Sequence, residues 1–112
     1  MFTGHMTGCR RNMLPGIDMT PLSWGEKTIM VRFDLLKGSQ LPVHHHVHEQ
    51  TGYLVSGRLR LTIGDHTYHA AAGDSWCIPT DVAHCAEALE DCVAIEIFSP
   101  LREDYLPSDG LY

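Results

Sequence analysis

The chain has 112 residues, 44% of them hydrophobic and 20% charged, with 14 acidic against 8 basic side chains for a net charge of −6. That length makes one domain able to bury a core without staples, and the acidic balance, with no basic run interleaved with aromatics, excludes a nucleic-acid surface. No stretch approaches the roughly 18 uninterrupted apolar residues of a membrane helix, and the opening MFTGHMTGCRRN has no apolar signal core, so a cytoplasmic protein is expected.

In chain order, residues 1–27 read as an N-terminal arm. Gly4, Gly8, Pro15 and Gly16 interrupt any period over the first part, which suggests a loosely structured lead-in that could cross to a partner subunit. Thr28 to Leu36 then alternates: Ile29, Val31, Phe33 and Leu35 share one face, Met30, Arg32, Asp34 and Leu36 the other. This is the pattern of a half-buried strand. Lys37-Gly38-Ser39 turns the chain into GSQLPVHHHVHEQTGYLVSG, a run with His44, His45, His46, His48 and Gln50 as potential metal ligands. Pro42 disfavours helix before it, and the run after Gly52 is strand-like, so the histidines should lie on extended chain. Strand alternation puts His44 and His46 on one side, able to grip one ion, and His45 and Val47 on the other. A helical pairing of His44 with His48 would want the HExxH order of zinc proteases, which is absent.

Beyond Gly57, Leu59, Leu61 and Ile63 face the core, Arg58, Arg60 and Thr62 face solvent, and Gly64-Asp65 makes a hairpin turn. His66 and His69 on the return strand lack a partner at ligand spacing and read as surface or structural histidines. A second block, GDSWCIPTDVAHCAEA from Gly73 to Ala88, combines a turn glycine, a strand-like run and Pro79, and ends in His84. That histidine would complete the two-histidine clip. In VAIEIF, Val93, Ile95 and Ile97 form one face and Ala94, Glu96 and Phe98 the other. Both are largely apolar, so one should be interior and the other covered by a second sheet or a subunit interface, which predicts a homodimer. A short helical turn fits between Pro100 and Pro107, and 107–112 reads as a tail. Cys9, Cys77, Cys85 and Cys92 have no CxxC spacing and are expected to be reduced and mostly packed in the core.

Glu96 and Phe98 share a face, and Arg102 follows on the flank after Pro100. If that face is interior, a carboxylate and a cation converge near the metal. A desolvated Glu96 would have a raised pKa suited to general acid or base work, and the Arg102 fork would pair with a substrate carboxylate. The competing arrangement is an internal Glu96–Arg102 ion pair, or Arg102 paired with Glu103 and Asp104 in solvent. Tyr53 and Trp76 read as packing residues, and His48 and Glu49 as groups that orient the ligands.

The spacings Gly38-x5-His44-x-His46-x3-Gln50-x6-Gly57 and Gly73-x5-Pro79-x-Asp81-x2-His84 resemble the two cupin motifs, with Asp81 where the pattern usually has glycine. The resemblance implies an all-β, antiparallel double-stranded β-helix or jelly-roll barrel over residues 28–106, with His44, His46, Gln50 and His84 as ligands of one divalent transition metal: zinc, nickel, manganese or iron. Together with FSPLREDYL, it extends to the single-domain cupins of pectin breakdown that convert unsaturated galacturonates to their linear keto form. In that group an acid, commonly aspartate, a phenylalanine and an arginine line the substrate site at the positions of Glu96, Phe98 and Arg102. Glu96 departs from it by one methylene. Three imidazoles and an amide leave the metal its full charge, which favours a small anionic substrate such as a sugar acid. A metal-dependent dioxygenase, and a sugar- or metal-binding cupin without turnover, are the competing functions.

Overall fold

Period-two alternation folds nearly the whole chain into strands in a computed structural model that describes residues 1–5 and 8–107. In order these are β1 (Arg11–Leu14), β2 (Ile17–Trp24), β3 (Ile29–Leu35), β4 (Gln40–His44), β5 (Glu49–Ser56), β6 (Arg58–Ile63), β7 (His66–Ala71), β8 (Ser75–Ile78), β9 (His84–Ala88) and β10 (Cys92–Ser99), then a 3-10 turn at Glu103–Tyr105. One sheet runs β1-β2-β3-β10-β5-β8 and the other β4-β9-β6-β7, with every pairing antiparallel. The core lies between them. Ile29, Val31, Phe33, Leu35, Leu54 and Phe98 from the larger sheet meet Leu59, Leu61, Ala70 and Ala88 from the smaller. This is the antiparallel jelly roll expected from the sequence. Residues 108–112, most of the expected tail, lie outside the described residues, while the helical turn expected before Pro107 is present.

The β6–β7 hairpin turns at Gly64-Asp65, opposing Ile63 to His66, with Gly64 at a φ of +58° that a side chain rarely adopts. On β10, Ala94, Glu96 and Phe98 are buried, whereas Val93, Ile95 and Ile97 are half-buried on the outer face. The interior face of this strand is therefore the one that carries Glu96.

Two expectations are corrected. Residues 11–24 do not form part of a loose arm. They make β1 and β2, and β2 pairs with β3 along its length, burying Ile17 and Met19 to 1% and 0% exposure. The alternation Ile17, Met19, Pro21 against Asp18, Thr20 is short and framed by proline and glycine, and a register shift after Pro21 further masks its period. The cysteines are not mostly core: Cys92 is buried, Cys85 half-buried, and Cys9 and Cys77 exposed. On β8 the alternation turns Ile78 inward and Cys77 outward.

Because Met19 is fully buried, Met19→Ala should lower the unfolding free energy by about 3 kcal/mol in a urea titration. A change near zero would mean that these residues leave the sheet in solution.

Candidate metal centre

The strand ladder of β4 ends at His44, and the next four residues bend into β5 rather than continuing it. Alternation nevertheless persists through the bend. His44 and His46 turn inward, while the His45 side chain and Val47 are largely exposed. His84 opens β9 directly opposite His44 in the pairing. Just before it, Asp81 has a φ of +60°, the left-handed conformation for which the pattern favours glycine and which aspartate is among the few residues to tolerate. The Asp81 amide donates to the His46 carbonyl at 2.9 Å, so the turn before His84 and the bend carrying His46 are tied together.

The imidazole nitrogens of His44, His46 and His84 lie within 4.8 Å of one another. In each ring Nδ1 stands 2.9 Å from a backbone carbonyl: Pro42 for His44, His48 for His46 and Val82 for His84. A carbonyl only accepts, so Nδ1 carries the proton and Nε2 keeps its lone pair. His84 Nε2 is buried with no hydrogen-bond partner. Burial pushes the His84 pKa down to about 4 and lowers that of His46, where the Arg102 charge adds to burial. Both shifts favour the neutral imidazole, the form that ligates. Gln50, buried on β5, places Oε1 3.2 Å from His46 Nε2. With the His46 proton on Nδ1, two acceptors face each other there. A cation resolves both that contact and the unpartnered His84 nitrogen, so these residues fit a divalent metal.

The expected site residues converge with this cluster on one cavity, lined by His44, Gln50, His84, Glu96, Phe98 and Arg102. Glu96 is buried and its pKa is pushed up to about 7 by desolvation, against which the Gln50 amide and the Trp76 indole pull it down. Trp76 Nε1 donates to Glu96 Oε1 at 3.2 Å, whereas Oε2 is buried without a partner. This contact crosses over Gly52, which sits opposite Trp76 on one side and Glu96 on the other. A Cβ at Gly52 would land on both side chains.

Arg102 bonds Asp104 and not Glu96. Its side chain, 16% exposed, lies over the Phe98 and Tyr105 rings. Phe98, at 1% exposure, also packs edge-on against His46. Its ring therefore braces Arg102 and His46 and offers no broad face to a sugar. His48 helps to orient His46 as expected, through its backbone carbonyl, and Glu49 and Tyr53 are exposed.

Sequence reasoning read Trp76 as packing, named Asp104 only in the competing arrangement, which is the partner Arg102 takes, and left out Tyr105. A partly buried tryptophan needs a partner for its N–H, which was the available signal for Trp76. For Tyr105 it was the i, i+3 spacing from Arg102, which a 3-10 turn brings into register.

The cupin domain family matches residues 31–98. Two solved structures superpose over nearly the whole chain. One, an RmlC-like cupin from Shewanella frigidimarina, is 28% identical, with a TM-score of 0.90 over 94% of this chain and 95% of its own. The other, KdgF from a Halomonas species, is 28% identical, with a TM-score of 0.89 over 95% and 98%. No curated protein sequence matches.

Folded, Glu96 holds its proton to about pH 7, against 4.5 for the free side chain. The folded chain thus binds more protons than the unfolded one across that interval, and stability falls as pH rises through it. In chelator-treated protein, the unfolding free energy of wild type relative to Glu96→Gln should drop by about 3 kcal/mol from about pH 4 to about pH 8. A difference that stays flat with pH would put this carboxyl in water.

Proposed function

The chain belongs to the cupin domain family, and on that footing we propose that it binds one divalent transition metal through His44, His46, Gln50 and His84 and converts a 4,5-unsaturated galacturonate to its linear keto form. What carries the reading is the meeting, in one cavity, of an acceptor-only histidine cluster with a buried, readily protonated Glu96 and the Arg102 cation. The sequence resemblance to the cupins of pectin breakdown and the likeness to the Halomonas protein support it.

When bound, the metal supplies a Lewis acid whose charge its neutral ligands leave intact. The remaining work falls to the chain. The reaction is an isomerisation: a proton leaves the anomeric hydroxyl as the bond between C1 and the ring oxygen breaks. The freed oxygen on C5 takes up that proton as an enol, and loss of the enol proton with delivery of one to C4 gives the ketone. Arg102 holds the uronate carboxylate, braced by Phe98 and Tyr105. Glu96 moves the proton at Oε2, the oxygen without a partner, while Trp76 fixes Oε1. Rate enhancement comes from positioning and charge stabilisation, with no nucleophile and no covalent intermediate.

We further assign the protein to the cytoplasm as a homodimer. In support of the dimer, Tyr53 is 49% and Val55 47% exposed on the outer face of the larger sheet, where Tyr53 pairs with the half-buried Ile95. In support of the compartment, no helix among the described residues is long and apolar enough to cross a membrane.

Protein purified without a histidine tag should carry close to one metal per chain and remove the ultraviolet absorbance of an unsaturated galacturonate. His84→Ala should lose the metal and slow the reaction more than about 100-fold. Metal in place with unchanging absorbance would remove the pectin assignment, and oxygen consumption would then point to an oxygenase.

Light scattering should give twice the 12.5 kDa chain mass, and Tyr53→Glu should shift it towards that of one chain. A wild-type mass of one chain would sink the dimer.

A further inference from the structure

A guanidinium can grip a carboxylate along either of two edges, side-on through Nε and Nη2 or end-on through Nη1 and Nη2. In Arg102 the side-on edge is already taken. Nε stands 3.3 Å from Asp104 Oδ1 and Nη2 2.9 Å from Oδ2. The flat group lies in an aromatic corner, with Cζ 4.0 Å from the Tyr105 centroid and 5.2 Å from that of Phe98, the two rings standing 82° apart. Tyr105 reaches this place because its amide donates to the Arg102 carbonyl at 3.0 Å, closing the turn. The turn is anchored in its own right, since Arg11 on β1 donates to the Asp104 carbonyl.

An ion pair with a carboxylate 60% exposed adds little to stability. Its consequence is geometric. With one edge held by Asp104 and one face covered by Tyr105, the guanidinium cannot swing, and the end-on edge remains for a ligand. We infer that Asp104 and Tyr105 are positioning residues that aim the end-on edge of Arg102 at the cavity and so make the site selective for a carboxylate-bearing sugar. This rests on the uronate reading for the choice of sugar, but it concerns binding and not turnover.

The inference has an opposite in simple electrostatics. Asp104 is a negative charge beside the place where an anion would bind, so on charge alone its removal should tighten binding. If it positions Arg102, its removal should weaken binding, because Arg102 must then be ordered by the ligand itself.

The test is calorimetric titration of the metal-containing protein with galacturonate and with galactose, its neutral counterpart. Wild type should prefer galacturonate. Asp104→Ala should raise the galacturonate Kd about tenfold and leave galactose unchanged, with Asp104→Asn, which keeps an acceptor, in between. Tyr105→Leu should match Asp104→Ala, and Tyr105→Phe, which keeps the ring face, should restore wild-type binding. Tighter galacturonate binding in Asp104→Ala, an equal loss for both sugars, or no preference in wild type would each overturn the inference. Intact selectivity without turnover would instead remove the isomerase reading and leave this one standing.

Discussion

Everything in the site depends on three hydrogen bonds of one kind. His44, His46 and His84 each commit Nδ1–H to a carbonyl two residues away in the chain, and this settles both the tautomer and the direction of the ring. Each Nε2 lone pair is then left to point inward. Imidazoles so close together, with no donor among those nitrogens, would be a poor arrangement for an apolar cavity. It becomes a good one around a cation. The local backbone thus does the orienting that distant carboxylates perform in many metal sites, and the extended chain around the histidines is what brings a carbonyl within reach of each ring.

Charge is what favours an acid in the reading proposed for this cavity. Burial favours the neutral form of His46 and His84, Glu96 shares its proton near neutrality, and Arg102 brings a positive charge. A metal held there would keep its full charge beside an arginine and make a positive pocket in a chain whose net charge is −6. The acidity of the chain is therefore a property of its surface and says little about the site. Asp104 tempers the pocket from its rim, where solvent screens it, and contributes more through geometry than through charge.

Much of this was legible in the residues. The alternation in Thr28–Leu36 and Arg58–Ile63 gave strands and their inner faces, and the two histidine motifs gave the three rings that meet. Two kinds of feature were hidden. Ile17 and Met19 carry a clear alternation, but too briefly to stand out between Pro15-Gly16 and a bulge near Pro21. Their burial follows from pairing with β3, which local pattern does not reveal. The contacts of Glu96 were hidden differently. Trp76 and Glu96 meet only because β8 and β10 both flank β5, a property of strand order and not of any one segment.

That strand order also shows how a glutamate fits at position 96, where the pectin-breakdown cupins that the sequence resembles commonly have aspartate. A longer acid on an inward-facing strand position needs somewhere to put its carboxylate. Here it lies across β5 at Gly52, in the space a Cβ would fill, with the Trp76 indole arriving from the other side. The absent side chain at 52 and the extra methylene at 96 are thus two halves of one fit. The extra length is not slack that would leave the proton-carrying oxygen wandering. Oε1 is held by an indole and Oε2 lies buried over Gly52, so both carboxylate oxygens of the longer acid have a defined place.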